Sequence, residues 1–161
     1  MSQTIVTGAG GFVGANLVRA LVAQGNTVHA WVRPGGNLWR LADIRTKITI
    51  QEVDMTSKVD IDRAVADSQP DRVYHLAHYG GNSGQSDSDN IRQVIIDGTA
   101  YLYQACGKTG GVKAIINAGS SSEYGIKNEP MREDMVAEPN TEYGLAKLWG
   151  TLYGEHLRRD Q

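Results

Sequence analysis

The sequence predicts an α/β protein built on a doubly wound parallel sheet. Short apolar runs rich in β-branched residues alternate with longer stretches of helical periodicity, which is the order that βαβ units produce. Glycines cluster at the first turn from strand to helix. The chain has 161 residues, which is enough for one domain with a sizeable core.

The predicted elements alternate along the chain. Strands are predicted at 3–8, 27–33, 47–53, 72–77 and 112–119. Helices are predicted near 12–24, 57–68, 91–106 and 141–159. Gly25 stands where the C-cap glycine of the first helix belongs. The longest predicted loop, 79–90, follows the fourth strand, and in an open parallel sheet ligands bind at this edge.

Composition argues against several classes of protein. The net charge is -2, the pI is about 6.1 and no basic run is present, so nucleic acid and anionic membranes are not expected partners. The one cysteine, Cys106, excludes an internal disulfide and fits a reducing compartment. No stretch approaches the ~20 apolar residues of a membrane span, and the first residues lack the pattern of a signal peptide. We therefore expect a cytoplasmic protein.

The stretch TGAGGFVG places Gly8, Gly11 and Gly14 between the first strand and the first helix. One glycine permits a tight turn, one lets the backbone approach a pyrophosphate, and one lets the helix pack on the strand. The helix N-terminus then offers N–H groups and a positive dipole end to phosphates. This spacing predicts a Rossmann-type dinucleotide site; a merely structural glycine turn is the alternative.

Two further motifs stand later in the chain. The fifth strand runs into GSSSEYG at 119–125, and YGLAK follows at 143–147. Together with the glycine turn, they resemble the extended short-chain dehydrogenase/reductase family of nucleotide-sugar epimerases, dehydratases and reductases. The resemblance spans essentially the whole chain. It implies that 1–161 is a dinucleotide-binding Rossmann domain whose sheet is truncated after the fifth strand and its following helix, without the C-terminal substrate domain.

The second strand indicates which dinucleotide is bound. NAD sites place an acidic residue at its end, but Val32 stands there and Arg33 follows. A guanidinium can pair with a 2′-phosphate, so NADP(H) is predicted over NAD(H), and Arg40 could assist. A solvated surface arginine is the alternative for Arg33. Asp54 is placed to meet the adenine edge, as in similar enzymes, or else to act as a helix N-cap.

The resemblance implies roles for three catalytic residues. Tyr143 would act as acid or base on a sugar hydroxyl or ketone, although a phenol with a pKa near 10 must be acidified for this. Lys147 would supply positive charge and hold the nicotinamide ribose. Ser120 would bind the reacting oxygen, a choice over its neighbours that rests on alignment, with turn chemistry as the alternative. The implied cofactor contacts are Gly8, Gly11, Phe12, Val13, Gly14, Arg33, Asp54, Met55, Leu76, Ala77, Tyr143 and Lys147.

The serines also bear on the reaction type. Related 4,6-dehydratases carry an Asp-Glu pair where this chain has Ser121 and Ser122. Glu123 is displaced by one residue from the position of the dehydratase glutamate. In an extended segment, side chains one residue apart point to opposite faces, so Glu123 would point away from the site. A 4-keto reductase or a 4-epimerase is therefore predicted, with NADP(H) favouring the reductase. A 4,6-dehydratase, a non-catalytic NADP(H)-binding fragment or sensor, and a reductase of non-sugar ketones stay open, the last because VRP also follows the second strand in such reductases.

The last helix indicates a partner. Its face opposite the catalytic pair is apolar, and in the resembled family the corresponding helix pairs with its copy. A homodimer through the helices near 91–106 and 141–159 is therefore expected, with contact inside one chain as the alternative. This apolar face of the helix is a stripe that comprises Leu145, Leu148, Trp149 and Leu152. A nucleotide-sugar is the substrate that the resemblance implies.

No metal site is predicted. His75 and His78 form H-x-x-H, but on a strand this spacing points the two rings to opposite faces. Asp87 and Asp89 suggest a calcium loop, yet the glycine and the glutamate that such a loop needs are missing.

Overall fold

The computed structural model describes residues 2–81 and 84–159. Five parallel strands form one sheet in the order β3-β2-β1-β4-β5. Each predicted strand is confirmed and is one to four residues shorter in total than predicted. The strands are β1 Gln3–Thr7, β2 Thr27–Val32, β3 Thr49–Glu52, β4 Arg72–His75 and β5 Ala114–Asn117. The strand order reverses between β1 and β4, so the switch point of the sheet lies there.

Helices cover both faces of the sheet, as predicted. Successive residues of a strand face opposite sides: Ile5 packs in one core cluster with α2 and α4, and Val6 packs in the other with α1. No helix in the described part of the chain combines the length and the hydropathy that a membrane span requires. The helices are α1 Phe12–Ala23, α2 Lys58–Ser68, α3 Ser88–Ile91, a π-helical segment Arg92–Asp97, α4 Gly98–Thr109 and α5 Glu142–Arg159.

The helix predicted near 91–106 begins earlier and ends later in the structure, where helical residues run from Ser88 to Thr109. The Asp87 side chain accepts a hydrogen bond from the Asn90 N–H and so caps α3. The end of the predicted loop 79–90 is therefore helical; residues 82 and 83 of that loop lie outside the described residues. Among the described residues, the longest connection without regular structure is instead 125–141, so the prediction that 79–90 is the longest loop is wrong.

A 3₁₀-helix over Trp39–Lys47 was not predicted from the sequence. It buries Leu41 and Ile44 against the α1 side of the sheet, with Leu38 partly buried beside them. These three residues recur every third position, which matches the period of a 3₁₀-helix. The helix places Arg40 at the end of β2, where the sequence indicated only a loop.

Candidate functional site

A cavity of about 780 Å³ opens at the carboxyl ends of the strands. It is lined by every predicted cofactor residue except Tyr143 and Lys147. The glycine turn after β1 forms one side, and Leu76 and Ala77, which directly follow β4, form another. The cavity thus lies at the switch point, where open α/β sheets bind ligands.

Two positions of the glycine turn leave no room for a side chain. Gly8 has φ +66°, and a Cβ on it would lie 2.9 Å from the backbone nitrogen of Ala77. A Cβ on Gly14 would lie 2.3 Å from the Gly8 carbonyl oxygen. Gly8 therefore permits the turn, and Gly14 permits α1 to pack close to it, which are two of the three roles expected of this motif.

The N-terminus of α1 fits an anionic ligand. Gly11 precedes the helix, and no side chain caps it. The first N–H groups of an α-helix have no partner within the helix, and the residues that carry them here, Phe12, Val13 and Gly14, line the cavity. No acidic residue occupies the first turn. The residues present therefore fit the pyrophosphate of a dinucleotide.

A buried network of hydrogen bonds holds the β4 side of the cavity. The Thr7 hydroxyl oxygen accepts from the Leu76 N–H at 3.1 Å and the Ala77 N–H at 3.0 Å. Both of its lone pairs are then used, so its own proton is donated to His75 Nδ1 at 2.7 Å. His75 consequently carries its proton on Nε2 and donates to the Thr99 hydroxyl at 3.0 Å.

The His75 ring is neutral in the folded protein. It is 3% exposed, and burial lowers its pKa to about 3, with smaller contributions from the charges of Lys147 and His78. A protonated ring would also lose the acceptor that the Thr7 hydroxyl requires. The network is therefore compatible with only one tautomer.

Charged groups meet the cavity at its β2 and β3 side. Arg33 and Arg40 both line it. So does Asp54, whose Oδ1 accepts from the Thr56 N–H at 2.9 Å and from the Thr56 hydroxyl at 2.8 Å. The suggestion that Asp54 caps a helix is wrong, because Ser57 is the N-cap of α2 and accepts from the Asp60 N–H. Asp54 instead closes a local turn at the cavity wall.

The cavity lining does not include the three predicted catalytic residues, and Tyr143 is connected to it through His78. Tyr143 and Lys147 are one turn apart on α5, and the Tyr143 ring meets the His78 ring edge-on at a centroid distance of 6.2 Å. His78 in turn lines the cavity. Lys147 is 6% exposed and donates from Nζ to the Ala118 carbonyl oxygen. Burial lowers the Lys147 pKa, so its charge is held in a weakly solvated position.

The segment after β5 is a 3₁₀-helix over Ser121–Tyr124, not the extended segment that the sequence indicated. Ser120 is its N-cap, and its hydroxyl accepts from the Ser122 N–H at 3.1 Å. Glu123 is buried; its carboxylate accepts from the Ser120 N–H at 2.7 Å and from the Thr151 hydroxyl at 2.9 Å. Glu123 therefore ties this turn to α5.

Several cavity residues were not predicted from the sequence. Gln93 and Val94 reach it from the π-helical segment, and π-helical turns are frequent at functional sites. Asn37 reaches it from the connection before the 3₁₀-helix. Gly10 could have been found from the glycine motif, but the others depend on how distant segments pack.

The histidine pair is arranged differently from the prediction. β4 ends at His75, and His78 lies beyond the strand, where its Nδ1 is 3.1 Å from the Leu76 carbonyl oxygen. The strand-face argument therefore does not apply to His78. Within residues 2–81 and 84–159, no three His, Cys, Asp or Glu side chains lie close enough together to hold a metal ion.

A glycine turn and an uncapped helix end at the switch point of a parallel sheet define a Rossmann-type dinucleotide-binding fold. Comparison with known proteins narrows this class. The sequence profile of the NAD dependent epimerase/dehydratase family matches residues 4–161, and the chain belongs to that family.

Curated relatives include both reductases and epimerases. The chain is 29% identical to dihydroflavonol 4-reductase from Hordeum vulgare over 132 residues, which is 78% of this chain and 37% of that protein. It is also 29% identical to UDP-glucose 4-epimerase from Mycolicibacterium smegmatis over 156 residues, which is 94% of this chain and 50% of that protein. The chain thus spans half or less of the length of these two relatives.

A solved structure shows the same fold. UDP-glucose 4-epimerase from Thermus thermophilus, in complex with NAD, superposes with a TM-score of 0.86 at 23% identity. The superposition covers 98% of this chain and 51% of that one. This chain therefore has the fold of about half of that epimerase.

Proposed function

We propose that this chain forms the NADP(H)-binding part of a nucleotide-sugar oxidoreductase, either a 4-keto reductase or a 4-epimerase. The observation that carries the proposal is the convergence of the glycine turn, the α1 N-terminus and Arg33 on one cavity, with α5 beside it. Membership of a family that contains both epimerases and reductases supports the reaction class.

The charges at the cavity support NADP(H) over NAD(H). Val32 is buried at the end of β2, and the exposed Arg33 follows it at the cavity wall. Asp54 is the one carboxylate among the described residues that line the cavity, and its Oδ1 is engaged by Thr56. A dianionic 2′-phosphate would therefore meet guanidinium groups rather than a carboxylate aimed at the ribose.

Ser120, Tyr143 and Lys147 are proposed to handle the proton. A bound nicotinamide would supply or accept the hydride. The Tyr143 phenol lies next to His78 at the cavity and would give a proton to the substrate oxygen or take one from it. The Ser120 hydroxyl oxygen already accepts from the Ser122 N–H. Its hydroxyl proton can therefore be donated to the substrate oxygen. The buried ammonium of Lys147 would supply positive charge one helical turn from Tyr143.

The cofactor preference is tested by thermal shift of the purified chain with NADPH and with NADH. A ligand at 100 times its Kd stabilises by about 2.7 kcal/mol, which is several degrees for a domain of this size. NADPH should give the larger shift, and Arg33→Gln should remove the difference. Arg72→Gln is the control, because Arg72 lies at the start of β4 and does not line the cavity. An equal shift with both nucleotides would contradict the preference.

The reaction is tested by NADPH oxidation with nucleotide-bound 4-keto sugars and by interconversion of UDP-hexoses. Tyr143→Phe should abolish turnover, while NADPH should still give a clear thermal shift because the contacts of the glycine turn and Arg33 are kept. NADPH binding without turnover on any of these substrates would favour the non-catalytic NADP(H)-binding alternative. Elimination of water from a nucleotide-sugar would instead indicate a 4,6-dehydratase.

A reductase of non-sugar ketones is the second candidate. The similarity to dihydroflavonol 4-reductase favours it, as does Arg33 directly after β2 with Pro34 next to it. Small ketones in the same NADPH assay separate the candidates. Turnover of the ketones without turnover of nucleotide-sugars would establish this second function.

A homodimer through the α4 and α5 side is also proposed. Leu145 and Leu152 are 59% and 55% exposed on α5, so residues 2–81 and 84–159 leave this part of the stripe uncovered. Trp149 stacks on Tyr153 at 4.7 Å, and Tyr103 of α4 meets Tyr153 edge-on at 5.8 Å. These ring contacts join α4 to α5, and all three rings are half-buried.

Light scattering after size exclusion measures the oligomeric state. Leu152→Glu should convert a dimer to a monomer, because it places a charge in the apolar contact. Ile126→Glu is the control, since Ile126 is 81% exposed and lies outside α4 and α5. A wild-type chain that elutes as a monomer at high concentration would contradict the dimer.

A further inference from the structure

We propose that Trp39 is a positioning residue for cofactor selection, because it holds Arg40 for the 2′-phosphate of NADP(H). The inference rests on the proposed NADP(H) preference and adds a residue that does not itself touch the cavity. Trp39 is 63% exposed, and the guanidinium carbon of Arg40 lies 4.3 Å from the centroid of its ring. Arg40 lines the cavity and Trp39 does not.

The backbone beneath this pair is fixed to α1. The Arg19 guanidinium donates from Nε and Nη2 to the two carboxylate oxygens of Asp43, at 3.0 and 2.7 Å. The same Nη2 group donates to the carbonyl oxygen of Arg40. A bidentate contact of this kind sets orientation as well as distance. The 3₁₀-helix is therefore anchored on the helix whose N-terminus faces the cavity.

A second contact fixes the position of Trp39. Its backbone N–H donates to the Asn37 side-chain oxygen at 3.0 Å, which closes a tight turn. The carbonyl oxygen of Asn37 would lie 3.5 Å from a Cβ on Gly10, so this turn packs beside the glycine loop. The Trp39 backbone is thus held from the glycine loop side, and the Arg40 backbone is held from the α1 side.

The charge of Arg40 remains available for a ligand. In the described part of the chain no carboxylate pairs with its guanidinium, since Asp43 is taken by Arg19. An arginine side chain loses rotamer freedom when it binds an anion. The Trp39 ring restricts that freedom before the ligand arrives, and cation–π attraction of this kind is worth most for tryptophan. Trp39 therefore acts on affinity for the 2′-phosphate and not on affinity for the rest of the nucleotide.

The test compares adenosine 2′,5′-bisphosphate with adenosine 5′-monophosphate by calorimetry on the purified chain. Trp39→Leu should weaken binding of the bisphosphate about two- to fivefold and leave binding of the monophosphate unchanged. Trp39→Tyr, which keeps an aromatic face, should restore most of the loss. Arg40→Gln should lose at least as much as Trp39→Leu. Arg45→Gln, on the same 3₁₀-helix but outside the cavity, should lose nothing.

The outcomes separate the two levels of the proposal. In a first outcome, the wild-type chain prefers the bisphosphate, Arg40→Gln loses that preference and Trp39→Leu keeps it. The role of Trp39 is then overturned, and the NADP(H) preference stands. If Trp39→Leu weakens both nucleotides equally, its role is structural and the inference is overturned. If the wild-type chain shows no preference for the bisphosphate, the NADP(H) proposal fails and the inference fails with it.

Discussion

The Thr7 hydroxyl lies 2.7 Å from His75 Nδ1 and donates its proton to that nitrogen. This contact joins the last residue of β1 to the last residue of β4, across the switch point of the sheet. The same Thr7 oxygen receives the N–H groups of Leu76 and Ala77, which line the cavity. The floor of the proposed cofactor site therefore depends on one neutral histidine.

The neutral His75 predicts a loss of stability at acidic pH. Its pKa is about 3 in the folded protein, against an ordinary value of 6.5. Between these values the unfolded chain binds more protons, so the free energy of unfolding falls as the pH drops below 6.5, by up to about 1.4 kcal/mol per pH unit. The measurement is urea unfolding of wild type and His75→Gln from pH 7 to pH 4. The stability advantage of the wild type should shrink along this series, and parallel curves would contradict the assignment.

Gly14→Ala should destabilise the protein, whereas Gly107→Ala should not. The new Cβ at position 14 would lie 2.3 Å from the Gly8 carbonyl oxygen, and at position 107 it would meet no atom within 4 Å. We expect a cost of about 1–3 kcal/mol for the first change and a gain of about 0.5–1 kcal/mol for the second. Both glycines are helical, so the propensity term is matched. Equal melting temperatures for the two variants would refute the close packing of α1.

Lys147→Met should leave the fold intact. The ammonium is buried and its pKa is lowered by desolvation, and a methionine removes that desolvation penalty at the cost of the hydrogen bond to Ala118. We expect a free energy of unfolding within about 1 kcal/mol of the wild type at pH 7. Because the folded pKa lies below that of the unfolded chain, raising the pH toward 10.5 should stabilise the wild type relative to the variant. The opposite trend across pH 8 to 10 would exclude a lowered pKa.

Asp54 should respond differently to its two simplest replacements. Asp54→Asn keeps an Oδ1 acceptor for Thr56, so its stability should match that of the wild type. Asp54→Ala leaves the Thr56 N–H without that acceptor and should cost about 1 kcal/mol. Chemical unfolding at neutral pH measures both. A loss in the asparagine variant as large as that in alanine would show that the charge, and not the turn, is what stabilises this wall.

The sheet was predictable because its signals are local. The five strands are short apolar runs, and each predicted run contains a strand of the structure. The interior strands β1 and β4 are covered on both faces, and their apolar residues Ile5, Val6 and Val73 are fully buried. Gly25 has φ +81° immediately after the α1 C-cap, which is the position predicted for it. These features each depend on a few consecutive residues.

The candidate site was predictable in part. The glycine turn and the residues after β2, β3 and β4 converge on one cavity because parallel strands bring their carboxyl ends to the same edge. Two hydrogen bonds were not predictable: Lys147 donates to the Ala118 carbonyl oxygen, and the Thr151 hydroxyl donates to the Glu123 carboxylate. These contacts join residues 28 or 29 positions apart, and no local periodicity reports on them.

Short patterns in the sequence were enough to establish the class of the fold, the glycine turn and the family, since each has a local mechanical reason. Packing between distant segments was needed to establish how the 3₁₀-helix carries Arg40 to the cavity, with Arg19 of α1 as its anchor. The tautomer of His75 likewise depends on hydroxyls 68 and 24 residues away. The partners of such side chains are selected only once the sheet and its helices are in contact, because burial then removes water as the competing partner.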